Sequence, residues 1–177
     1  MHARQILLVL ALTVAVPGCG SSGGGSKPAT TTHDAAGVVA CLDRDQRFTK
    51  VAKLAPGGGS LSARDRHAVD AAVTGASDAV VAQSGGPQEH AGVIAEAPVV
   101  VDEIYLFADD GAAASARTKL LGSAGGGPHT LLSPARAVGR ALVVHYSFGI
   151  GDRPGGVPLN ADALEPLQRC LAEAGYA

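Results

Sequence analysis

The chain has 177 residues, with 14 Lys and Arg against 16 Asp and Glu, a formal net charge of -2 at pH 7, and no Trp. Its basic residues are scattered along the chain, so the electrostatic footprint of a nucleic-acid binder is absent. The few aromatic residues also argue against a stacking platform for bases or sugars.

The N-terminal segment has the parts of a secretory signal, with Arg4 as the positive start, an apolar run over residues 6–16 and small residues after it. That run is about 11 residues, against the roughly 20 that a bilayer-spanning helix needs, so a removable signal is expected. No later stretch is long and apolar enough to span.

Val16-Pro17-Gly18-Cys19 closes this segment. It resembles the lipobox of bacterial lipoproteins, an aliphatic residue and two small residues before an invariant cysteine. Pro17 stands where Ala or Ser is usual. The resemblance implies that the Cys19 thiol is acylated and the signal is cut just before it. One acyl chain binds only marginally at about 0.8 kcal/mol per methylene, whereas two or three on one cysteine anchor stably. The expected location is therefore the extracytoplasmic face of the cell membrane, with the membrane itself a partner through the N-terminal lipid. Residues 20–32 (GSSGGGSKPATTT) are small, polar and flexible. As a random coil they would reach about 20 Å, enough to hold a domain clear of the headgroups.

Asp34 is a candidate cap for a first helix whose Val38, Cys41 and Leu42 share a face. A short strand is expected over residues 48–54. Residues 62–82 place Val69, Val73, Ala76 and Val80 at helical spacing, which predicts a helix weakened by Gly75 and β-branched residues. Residues 98–107 (PVVVDEIYLF) and 141–148 (ALVVHYSF) read as buried strands. The Asp109-Asp110 pair caps an Ala-rich helix between them, and residues 131–138 lead into the second strand as part of a hairpin. A last helix carries Leu164, Leu167, Cys170 and Leu171, starting at Asn160 or Asp162. Pro166 favours the later start, because a proline deeper in the helix loses a backbone bond. Gly175 offers its stop.

Cys41 and Cys170 are the two cysteines left after Cys19, and outside the membrane an even pair reads as a disulfide. Closing a loop of about 130 residues restricts the unfolded chain by roughly 5 kcal/mol in the entropy model. The organisation expected is a signal over residues 1–18, a lipidated Cys19 with tether over 19–33, and one disulfide-stapled domain over 34–177. Its element order suits an α+β two-layer sandwich with helices on one face of a small sheet, with a ferredoxin-like arrangement as one variant. The terminal Cys170-Leu171 helix and the Val143-Val144-x-Tyr146 strand resemble small lipoproteins of high-GC Gram-positive bacteria. An excess of Arg over Lys with abundant Ala and Gly fits the same source.

No reactive constellation emerges. The glycine runs at residues 56–60 and 125–128 lack the Lys-Ser/Thr of a phosphate loop. Ser133 lies in no G-x-S-x-G elbow that would support it and His145 as a hydrolase pair. The histidines His33, His67, His90, His129 and His145 form no compact ligand motif, and neither cysteine has metal-ligand spacing. On its strand His145 shares a side with Ala141 and Val143, which favours a packed histidine, and Asp102 and Glu103, as strand neighbours, face opposite sides. No catalytic, metal-binding or cofactor-binding residue is therefore assigned, and no cofactor is expected. The function expected is a non-catalytic envelope binding domain, whose partner is another envelope protein, the wall polymer or a small ligand. The alternative is a small envelope hydrolase or metal-dependent enzyme with a site assembled from distant residues such as His145 and Asp102.

Overall fold

A computed structural model describes residues 35–86, 88–90, 93–95, 98–123, 135–148, 154–155 and 159–177. The signal, Cys19 and its tether, the Asp34 cap, His33, His129, Ser133 and the 125–128 glycine run lie outside the described residues. In chain order the elements are α1 (Ala35–Asp43), β1 (Phe48–Lys53), α2 (Ala63–Ala72), β2 (Asp78–Gly85), β3 (Gln88–His90), β4 (Val93–Ala95) and β5 (Val99–Leu106). There follow α3 (Asp110–Ser123), β6 (Arg136–Val138), β7 (Ala141–Phe148), β8 (Pro154–Gly155) and α4 (Ala161–Glu173). No helix among the described residues is long and apolar enough to cross a membrane.

The fold is an α+β sandwich built on an antiparallel sheet of order β1-β2-β5-β7-β6, with β8 also paired to β7. β3 and β4 form a separate hairpin. The sheet follows the chain nearly in sequence order, without the interleaving of a ferredoxin-like fold.

Helices cover both faces of the sheet, not one. The reason lies in β5 and β7, where both sets of alternating side chains are buried. On one face Val80, Ile104, Leu106 and Val143 pack with Val38 and Leu42 of α1 and Leu167 and Leu171 of α4. On the other, Val101, Tyr105, Leu142, Val144 and Tyr146 pack with Val69 of α2 and with Ala113, Ala116 and Leu120 of α3. Each leucine so buried is worth about 1.5–3 kcal/mol relative to exposure.

The helix expected over residues 62–82 is divided. Ser62 caps α2, its side chain accepting from the Asp65 N–H, but the helix ends at Ala72. After Gly75 the chain turns, and Asp78–Gly85 runs as strand β2 between β1 and β5. Val80 and Ala82 are fully buried on the α1/α4 face. Val80 fits both the helical spacing from Val69 and, with Ala82, the alternation of a strand, and pairing on both edges makes it a strand residue.

α4 starts one turn-half earlier than Pro166 suggests, since Asn160 is its cap and accepts from the Ala163 N–H at 2.8 Å. Pro166 consequently sits inside the helix, buried. The helix stops as expected at Gly175, whose φ of 79° is in the left-handed region. The Tyr176 N–H donates to Leu171 O at 2.7 Å and the Gly175 N–H to Ala172 O at 3.0 Å, a Schellman stop that turns Tyr176 into the core. Cys41 and Cys170 are joined, with Cα atoms 5.4 Å apart, so the disulfide fastens α1 to α4. Beside it Asp45 accepts from Arg47 and Arg169 at 2.7 Å each. Chiefly the Arg47 hydrogen bond, with help from Arg169, holds the Asp45 carboxyl well below its ordinary value against the opposing effect of burial.

Candidate functional site

Strand alternation sends the neighbours Asp102 and Glu103 to opposite faces of β5, and each becomes the centre of a buried polar group. Glu103, fully buried, lies on the α2/α3 face. Its Oε1 accepts from Arg66 Nη2 at 2.5 Å and from the Tyr146 hydroxyl at 2.7 Å. Its Oε2 accepts from the Tyr105 hydroxyl at 2.7 Å. Arg66 Nη1 completes the ring by donating to that hydroxyl at 2.9 Å. The residues come from β5, β7 and α2, so the network ties both central strands to the helix above them.

Burial works to lower the Arg66 pKa, but the Glu103 carboxylate outweighs it and holds the guanidinium firmly charged. Burial, reinforced by the negative charge of Glu103, pushes both tyrosine hydroxyls well above their ordinary range, so they act as donors. Gly59 closes over this group with φ of 96°, and a Cβ there would run into the Arg66 guanidinium and the Glu103 carboxylate. A glycine is required there for both conformation and space. The glycine run at residues 56–60 is a loop, as expected.

Arg66 and Tyr105 also line a cleft of about 430 Å³ between α2 and the chain around β1 and β2. Leu54, Val73 and Ala79 contribute apolar wall, while Asp70 and Asp78 bring carboxylates. Asp70 lies 3.8 Å from Arg66 Nη1, and Asp78 accepts from Lys53 Nζ at 2.9 Å. Burial raises the Asp78 pKa, yet the lysine hydrogen bond prevails and the carboxyl is held below its ordinary value. The volume falls within the range of small-molecule sites.

Asp102 lies on the α1/α4 face, directly across from His145 of β7. Both are 3% exposed, and His145 Nδ1 stands 2.6 Å from Asp102 Oδ1. They line a second pocket of about 240 Å³ near the start of α4. The expectation of a packed histidine on the side of Ala141 and Val143 holds, and the structure also brings together the two residues named for an assembled site.

Cys41 and Cys170 are consumed in the disulfide. No group of three or more His, Cys, Asp or Glu side chains able to hold a metal occurs among the described residues. The Arg66–Glu103 network was not read from the sequence, because its members lie 37 residues apart and no local pattern joins them. The one available signal was a Glu inside a strand otherwise composed for burial. Comparison with family models, curated proteins and solved structures gives no match.

Proposed function

We propose that this protein is a lipid-anchored extracytoplasmic binding protein, tethered to the outer side of the cell membrane through an acylated Cys19. Its folded domain takes a small, mainly apolar ligand without net negative charge. The observation that carries the ligand site is the cleft of about 430 Å³ lined by Arg66 and Tyr105, with the Arg66 guanidinium paired to Glu103 behind it. Arg66 makes a poor anion receptor, because its charge is matched at 2.5 Å by a fully buried carboxylate. An acidic ligand would instead meet Asp70 and Asp78. An apolar body with a neutral or cationic polar end fits these walls better.

A small envelope hydrolase is the second reading, favoured by the Asp102–His145 contact. Among the described residues no hydroxyl or thiol nucleophile is bonded to His145 to complete a relay, so binding is the better supported function.

A native mass spectrum of the protein, extracted gently from its own membrane, tests the proposal. Acylated protein carrying a reproducible extra mass is expected, and that mass should be absent from a Val73→Trp variant whose cleft is filled. Cleavage elsewhere without acylation would overturn the anchor. Acylated protein with nothing bound, and no partner crosslinked in intact cells, would overturn the binding function.

A further inference from the structure

The Asp102–His145 pair is poorly explained by packing. Along the same face the next residues toward the core, Ile104 on β5 and Val143 on β7, are fully buried and apolar, and they pair directly across the strands. A second apolar pair at 102 and 145 would extend that core without desolvating two ionisable groups. Buried polar pairs are often no more stabilising than apolar residues of similar volume.

The chemistry of the pair is directional. A carboxylate only accepts, so an ionised Asp102 facing a neutral His145 at 2.6 Å takes its hydrogen bond from Nδ1. In the neutral ring Nε2 is then an acceptor. Nε2 makes no hydrogen bond to any described residue, and His145 lines the pocket of about 240 Å³. Phe48, Val100, Ala163 and Pro166 give that pocket its apolar wall, with the Ser84 side chain beside them. The charged groups at it are committed or repel anions. Arg47 is bonded to Asp45 at 2.7 Å and to Glu165 at 3.0 Å, and Asp162 adds a carboxylate at the first turn of α4. The Asn160 side chain is engaged in capping α4.

We propose that this pocket is a second binding site, for a small apolar molecule bearing a hydroxyl group, which donates its hydrogen bond to His145 Nε2. Asp102 acts as a positioning residue that fixes the acceptor tautomer. Anions are disfavoured by Asp102 and Asp162. The volume limits the ligand to roughly the size of a substituted phenol, below the usual range for drug-sized ligands. The site is on the face of the sheet opposite the Arg66 cleft, so it stands or falls separately from the function proposed above.

The test uses the full chain in detergent at neutral pH and three fluorine probes read by ¹⁹F NMR. These are 4-fluorophenol, 4-fluoroanisole, which lacks the hydroxyl proton, and 4-fluoroacetophenone, which only accepts. Wild-type protein should bind the phenol several-fold to about tenfold more tightly than the anisole, the range that one hydrogen bond supplies. Asp102→Asn should reverse the preference. The asparagine amide donates to Nδ1, the ring proton moves to Nε2, and the acetophenone should then bind more tightly than the phenol. The ¹⁵N resonances of His145 report the tautomer in both proteins and check the fold of the variant. Equal affinity for phenol and anisole in the wild type, absence of phenol binding, or an unchanged order in a folded Asp102→Asn with its tautomer switched would each overturn the proposal. If Asp102→Asn does not fold, the wild-type comparison of phenol with anisole still decides the matter.

Discussion

Arg66→Ala isolates what the buried network contributes. The substitution removes the 2.5 Å contact to Glu103 and the 2.9 Å bond to Tyr105, and leaves a carboxylate that is fully buried in wild-type protein. Removing one partner of a buried ion pair costs about 3–5 kcal/mol. The tyrosine hydroxyls at 2.7 Å still donate to Glu103 and offset part of that loss, so about 3 kcal/mol is expected. For a domain of about 140 residues this corresponds to a fall in Tm of roughly 10 °C. With an m value of about 2 kcal/mol/M, the urea midpoint should drop by about 1.5 M. The diagnostic step is Glu103→Gln in the Arg66→Ala background. Because it removes the orphaned charge, the double variant should regain about 1–2 kcal/mol, whereas the same change in wild-type protein should destabilise. Urea unfolding followed by circular dichroism measures all four proteins of the cycle. An Arg66→Ala variant within about 0.5 kcal/mol of wild type, or losses that simply add in the double variant, would refute the account of Glu103 as a carboxylate dependent on its arginine.

Two further outcomes are expected. Reduction of Cys41–Cys170, or the paired change Cys41→Ala with Cys170→Ala, should lower stability by about 3–5 kcal/mol, given the 129-residue separation, and urea midpoints with and without reductant measure it. Asp45→Asn should lower stability by no more than about 1 kcal/mol at neutral pH, because solvent screens its arginine partners. The folded state holds the Asp45 carboxyl below its unfolded value, so its contribution is complete above that value and fades as pH falls through it. The gap between wild type and Asp45→Asn should therefore narrow progressively as pH falls below about 5 in an acid-unfolding series, and a gap that widens would contradict the assigned role.

Local chemistry made much of this domain legible. The runs that became β5 and β7 are composed for burial, the Asp109 side chain accepts from the Ala112 N–H at 2.8 Å as a cap should, and Gly175 ends the last helix. The expected compartment and the cysteine number together point to the disulfide, which the fold contains. Over residues 62–82 the helical spacing of Val69, Val73, Ala76 and Val80 runs on past the end of α2 at Ala72 and into the start of β2. Only neighbours on both sides of β2 could settle the choice between helix and strand.

What the sequence by itself determined is therefore what one or two turns of chain can express, namely caps, breakers, strand composition and the opposite facing of Asp102 and Glu103. The tertiary structure decided which distant groups those two acids meet. It placed Arg66 over one face and His145 across the other, 37 and 43 residues away in the chain. The physical reason is that such pairing depends on strand register and helix docking, which are set by the packing of the whole core.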